Sequence, residues 1–183
     1  MALCKLVEGN ALYMKSWHNP AFIGERRRIE TTHHGQHPYA VILTCSDSRV
    51  PPEHIFSAGI GDLFVVRTAG NVVGSFELGS IEYAVQHLSA PLIVVMGHSH
   101  CGAVGAALDG GHTGGYIESV ICEIRQGISC DATEPEAIHQ NICHSKERVL
   151  QSEIVRCALH SGQIMMVTAE YNIETGNVHF FNG

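Results

Sequence analysis

The sequence predicts a single α/β domain with a mostly parallel central β-sheet flanked by helices, an antiparallel edge strand and an N-terminal helical arm. Three observations carry this reading. Short apolar, β-branched runs recur at residues 39–44 (YAVILT), 63–67 (LFVVR) and 92–96 (LIVVM). Each is followed by polar or glycine-rich residues. Runs that are apolar at consecutive positions suit strands buried on both faces, the setting of a parallel sheet covered by helices. Between the second and third runs, residues 75–87 offer Phe76, Ile81, Tyr83, Ala84 and Leu88 to a buried face. That spacing predicts a crossover helix.

The other elements follow in chain order. Residues 1–35 read as a polar, helix-prone arm in which Leu3, Leu6 and Val7 share one face and Pro20 interrupts the pattern. An arm this thin in apolar residues needs something to pack on. Residues 36–183 then form the α/β domain. A helix is expected to begin near Gly102, and residues 134–157 read as one long helix after Pro135. Residues 164–167 (IMMV) read as a fourth strand, and the turn at residues 175–177 leads into residues 178–181 as an antiparallel edge hairpin. The segment 110–115 (GGHTGG) is glycine-rich, but it follows no clear strand and lacks the lysine of a phosphate loop. It reads as a connection.

Composition narrows the function classes. A chain of 183 residues fits one domain, and its 45% hydrophobic and 16% charged content supports a real core. The net charge of −7 leaves no electrostatic footprint for nucleic acid. The one basic run, Arg26 to Arg28, reads as a solvated helix face. No segment reaches the roughly 18–20 continuous apolar residues of a membrane span. The N-terminus lacks the apolar core of a signal peptide, so a cytoplasmic location is the default expectation. Seven cysteines cannot all pair within the chain, and in a reducing compartment they are core thiols or metal ligands.

Two segments carry chemistry. Residues 44–49 (TCSDSR) follow the first strand, and residues 97–102 (GHSHCG) follow the third. In a doubly wound sheet both lie at one rim, so residues distant in sequence can converge. Cys45, His98 and Cys101 form a ligand set suited to zinc. Three protein ligands leave a fourth position open, which is the pattern of a catalytic site. The dipole of a helix starting near Gly102 would favour a thiolate at Cys101. Taken singly, these residues also suit blander roles: buried thiols after strands, and Asp47 with Arg49 as a surface ion pair.

Cys45-x-Asp47-x-Arg49 followed by His98-x-x-Cys101 resembles the β-class carbonic anhydrases. Further blocks resemble the family in order: residues 46–53 (SDSRVPPE), 61–67 (GDLFVVR), 69–71 (AGN), 80–85 (SIEYAV), Tyr171 and 174–176 (ETG). The resemblance covers residues 36–181. It implies one Zn2+ per chain and reversible hydration of carbon dioxide to bicarbonate and a proton. Asp47 would orient the attacking oxygen, and Arg49 would keep the carboxylate off the metal. Gln36, Phe64, Ala69 and Tyr83 match positions that line the substrate pocket, and the Gly102 N–H would bind a substrate oxygen. Some pocket residues in the family come from a second subunit. The resemblance therefore implies a homodimer or a dimer of dimers, with residues 1–35 as the dimerisation arm. A second, inhibitory bicarbonate site needs a tryptophan and a glycine where this chain has Ile42 and Thr44, so that version is not expected. Ala69 replaces a larger aliphatic residue, which keeps hydrolysis of carbonyl sulfide or carbon disulfide open as an alternative. A non-catalytic zinc scaffold is the other. His54 and His100 are titratable where the family is less so. They read as proton relays or as solvated surface residues.

Overall fold

The computed structural model describes residues 1–15, 23–111 and 114–181. Its five strands are β1 Ala40–Cys45, β2 Leu63–Thr68, β3 Leu92–His98, β4 Met165–Tyr171 and β5 Val178–Phe181. They form one sheet in the order β2-β1-β3-β4-β5. The first four are parallel, and β5 runs antiparallel to β4. Every residue of β1 and β3 is buried, as continuous apolar runs require. Chain order reverses at β1, with β2 on one side and β3 on the other. The C-terminal ends of β1 and β3 therefore flank the crevice where open α/β sheets place their sites.

Eight helices surround the sheet among the described residues: α1 Ala2–Lys15, α2 Glu25–His34, α3 Pro52–Ile55, α4 Ser75–Gln86, α5 Gly102–Leu108, α6 Ile117–Gly127, α7 Glu134–Val149 and α8 Glu153–His160. Alternation along β1 sends Val41, Leu43 and Cys45 into a core shared with Ile81, Ile124 and Ile142. Ala40 and Ile42 face a second core built with Leu6, Ile55 and Phe56.

Several expectations need correction. The first strand ends at Cys45 and the third at His98, so both residues lie within strands and not after them. Pairing with β4 explains the longer β3: the ladder continues through Gly97↔Glu170 and His98↔Tyr171. The same ladder carries β4 to Tyr171, beyond the expected end at Val167. The expected helix over residues 134–157 is two helices. Ser152 caps α8 by accepting from the Val155 N–H, and its hydroxyl donates to Glu82 of α4 at 2.6 Å. This contact with another element breaks the run, and local propensity does not reveal it. On α4, Ile81, Ala84 and Val85 are buried, whereas Phe76 is 86% and Tyr83 48% exposed. At 100° per residue both aromatics fall on the face opposite Ile81. Pro20 lies outside the described residues, as do residues 112–113 of the glycine-rich segment. Of the basic run, Arg27 is not merely solvated: it donates to the Ile60 carbonyl and pairs with Asp62.

Helix α1 docks on its own chain. Leu6 is fully buried, which contributes about 1.5–3 kcal/mol. Asn10, 3% exposed, donates to the carbonyls of Ile55 and Gly176 and accepts from the Val178 N–H. Gly9 sits against the Phe56 backbone, where a Cβ would meet the carbonyl oxygen. In a free helix Gly→Ala is worth about 1 kcal/mol of added stability. Here Gly9→Ala should instead lower the unfolding free energy by about 1–3 kcal/mol in urea denaturation. A variant as stable as the wild type would show that α1 does not dock this way.

Candidate metal centre

Cys45 ends β1, His98 ends β3, and Cys101 is the N-cap of α5. Their exposures are 4%, 0% and 2%. One potential ligand atom from each lies within 4.8 Å of the other two. The His98 Nδ1–H donates to the Ser99 carbonyl at 2.9 Å, which in the neutral ring leaves the Nε2 lone pair exposed to the two sulfurs. Nε2 is buried and has no hydrogen-bond partner. An orphaned polar atom at full burial is costly unless something occupies it. Two sulfurs and an imidazole nitrogen are the donors that zinc accepts.

Hydrogen bonding shifts the two thiols in opposite directions. The Cys101 thiol donates to the Cys45 sulfur, and together with the His98 ring and the backbone N–H of Gly70 it lowers the Cys45 pKa against the effect of burial. The same contact, then burial, raises Cys101; the N–H groups of Ala103 and Val104 favour its thiolate but do not prevail. Burial disfavours the charged form of His98, but the Cys45 sulfur and the Ser99 carbonyl outweigh it and raise its pKa.

Asp47 stands beside this trio, with Oδ2 4.0 Å from His98 Nε2. Arg49 donates to Oδ1 from its backbone N–H at 2.9 Å and from Nε at 3.0 Å, and to Oδ2 from Nη2 at 2.7 Å. These hydrogen bonds hold the carboxyl well below its ordinary range, at about 2. A carboxylate accepts in about four directions, and Arg49 takes three of them. The fourth belongs to Oδ2, the oxygen that faces His98. Arg49 is itself fixed, since Nη2 also donates to the His100 carbonyl at 3.1 Å. His100 adopts φ 56°, uncommon for a non-glycine residue, and this conformation presents its carbonyl to Arg49. Its ring lies 3.7 Å from Glu134 and 3.8 Å from Glu174. His54 is an exposed residue of α3.

The expected pocket residues divide. Ala69 follows Thr68, which pairs with Cys45, and Gly102 follows Cys101, so both lie at the rim. Phe64 pairs with Val41, four residues below that level, or roughly 13 Å along the strand. Tyr83 packs against Phe64, with ring centroids 6.3 Å apart. Gln36 precedes β1, at the end opposite Cys45. This chain therefore does not bring Gln36, Phe64 or Tyr83 to its own trio.

Residues 40–178 match the family model described as carbonic anhydrase. The chain is also similar to a solved Coccomyxa β-carbonic anhydrase in complex with acetazolamide, with a TM-score of 0.75 and 28% identity over 87% of this chain and 80% of that one. The chain belongs to the β-carbonic anhydrase family. It is accordingly an enzyme of the carbonic anhydrase kind. Carbonic anhydrase 2 of Mycobacterium tuberculosis is 43% identical, covering 78% of this chain and 73% of that protein. A carbonic anhydrase of Mycolicibacterium smegmatis is 37% identical over 94% of this chain and 88% of its own.

Sequence reasoning missed several residues of this β-carbonic anhydrase site. Arg67 donates from Nε to the Cys45 carbonyl at 3.0 Å and from Nη2 to the Asp47 carbonyl at 2.7 Å, so one side chain ties the end of β1 to the dyad loop. Its place in the block at residues 61–67 was the available signal. Gly70 lies in a 3-10 turn, Ala69–Asn71, with φ 65°. A Cβ there would come 2.6 Å from Ile124 Cδ1. Backbone strain and this clash together predict that Gly70→Ala loses about 1–3 kcal/mol in chemical denaturation. Unchanged stability would show that the turn can relax away from α6.

Proposed function

We propose that this enzyme interconverts carbon dioxide and bicarbonate with a zinc ion held by Cys45, His98 and Cys101. One observation carries the reading: a buried, unpartnered His98 Nε2 facing two buried cysteine sulfurs, with the Asp47 carboxylate 4.0 Å away. The names of the relatives supply the reaction. Zinc bound there contributes Lewis acidity, which brings the ionisation of water toward neutral pH.

The chain's own residues do the rest. Asp47 keeps one acceptor direction on Oδ2. It takes a hydrogen bond from the attacking water there and turns that oxygen's lone pair toward the carbon of CO2. Arg49 fixes the carboxylate by its planar two-point grip and keeps it from swinging toward the sulfurs. Gly102 occupies the first position of α5, where a backbone N–H has no intrahelical acceptor. It donates to an oxygen of the developing bicarbonate, in the manner of an oxyanion site. Ala69 leaves a small apolar wall that suits a neutral, nonpolar substrate.

Gln36, Phe64 and Tyr83 complete the pocket from a second copy of the chain. Their position at the far end of the sheet and the 48% exposure of Tyr83 support this assignment. Tyr83 with Phe76 leaves an aromatic face on α4 that a partner would cover. Among the described residues no helix is long and apolar enough to cross a membrane.

Cys45→Ser and His98→Ala should each lose most bound zinc by elemental analysis, and full retention in both would overturn the ligand assignment. Arg49→Ala should keep its zinc and lose roughly 100-fold or more in CO2 hydration rate by stopped flow. Wild-type rates in that variant would remove the dyad from the mechanism. For the shared pocket, Asp47→Ala and Tyr83→Ala should each be impaired alone. Unfolding and refolding them together should recover activity, because a mixed dimer holds one site in which an intact Asp47 meets an intact Tyr83. A mixture no more active than its parents would show that each chain builds its own pocket.

A further inference from the structure

Three polar side chains beneath the metal centre form a buried network that the reaction itself does not require. Asn71, Asn141 and Ser145 are 2%, 1% and 1% exposed. The latter two lie mid-way along α7, where asparagine and serine have no intrinsic advantage. Their hydrogen bonds converge on the turn Ala69–Asn71. Asn141 Nδ2 donates to the Gly70 carbonyl at 2.8 Å. Asn71 Nδ2 donates to Ser145 Oγ at 3.0 Å, and Ser145 Oγ donates back to the Asn71 carbonyl at 2.9 Å. The turn held in this way aims the Gly70 N–H at the Cys45 sulfur, 3.2 Å away.

From this geometry we infer that Asn141 and Ser145 are positioning residues for the metal centre, acting through the Gly70 N–H on the charge that Cys45 presents to the metal. The inference rests on the zinc reading above. Each peptide of the turn is restrained by a separate side chain, so neither can tilt without breaking a buried hydrogen bond. An N–H donated to a thiolate withdraws electron density from sulfur. The metal then receives less, and remains the stronger Lewis acid. Two thiolates donate heavily to a metal, so a fixed N–H on one of them is a chemically useful correction. Partners behind the ligands are known to set metal affinity and reactivity in this way. Two features argue against a purely packing role. Both side chains are polar where α7 otherwise buries Ile138, Ile142 and Val149, and both bonds end on the turn whose N–H reaches the Cys45 sulfur.

The test uses the full chain with cobalt(II) replacing zinc, whose sulfur-to-cobalt absorption reports thiolate donation directly. Asn141→Ala and Ser145→Ala are compared with the wild type and with Leu6→Ala, which disturbs the other core. In both α7 variants the charge-transfer band should shift, and metal should bind roughly tenfold or more weakly by competition with a chelator. Leu6→Ala should lower thermal stability yet leave the band in place. Ser145→Thr, which keeps the hydroxyl, should restore the wild-type band. Should Asn141→Ala fail to fold, Ser145→Ala and Ser145→Thr decide with the same readings. Wild-type spectra and affinity in folded α7 variants would overturn the inference. A wild type that binds no cobalt through thiolate would instead sink the zinc reading, a separate result.

Discussion

Parallel pairing of β1 between β2 and β3 sets the height of everything that matters at the rim. Cys45 is level with Thr68 on one side, and Thr44 is level with Met96 on the other. A shift of one residue in either ladder would turn Cys45 to the opposite face and separate it from the crevice, because side chains alternate with a period of two. Register is therefore part of the chemistry. It is protected by the complete burial of β1 and β3, which leaves no polar face that could tolerate slippage. Arg67 adds a cross-strand tie, reaching from β2 to the carbonyls of Cys45 and Asp47.

Around this frame the molecule spends polar groups where an ordinary core would be apolar. His98 Nε2 lacks a partner and the Cys45 thiol is driven toward its anion, both unfavourable features in isolation. At Cys45 the Gly70 N–H and the Cys101 thiol offset that cost. The left-handed backbones at His100 and Asn71 belong to the same arrangement, since each carries a carbonyl that a site side chain uses. Conformations of this kind persist where the surroundings over-determine them.

How far the sequence could be read depends on the range of the interactions. The strands were legible because β-branched runs such as residues 92–96 report burial on both faces. Cys45, His98 and Cys101 could be grouped because two short segments each fall at the C-terminal end of a strand. The break at residues 150–152 was not legible, since the Ser152 cap gains its meaning from Glu82 on another helix. Asn141 and Ser145 carry no signal in the sequence for the same reason, since their partners lie on the turn at residues 69–71. The outward face of Phe76 and Tyr83 was misread because five apolar residues spread over residues 75–88 satisfy more than one helical stripe. The lowered pKa of Cys45 depends on the contact between the two sulfurs, which spacing cannot give.

The contacts of Asn10 have a consequence for the timing of folding. That side chain bridges α3 to the carbonyl of Gly176 and the N–H of Val178, partners 166 and 168 positions away in the chain. During synthesis two of the three hydrogen bonds of Asn10 therefore cannot close until Gly176 and Val178 have emerged. Contacts of such long sequence separation form late and slowly. The N-terminal helix is thus expected to be locked only when β5 pairs, and a ribosome-bound chain ending before Gly176 would hold Asn10 by its bond to Ile55 alone.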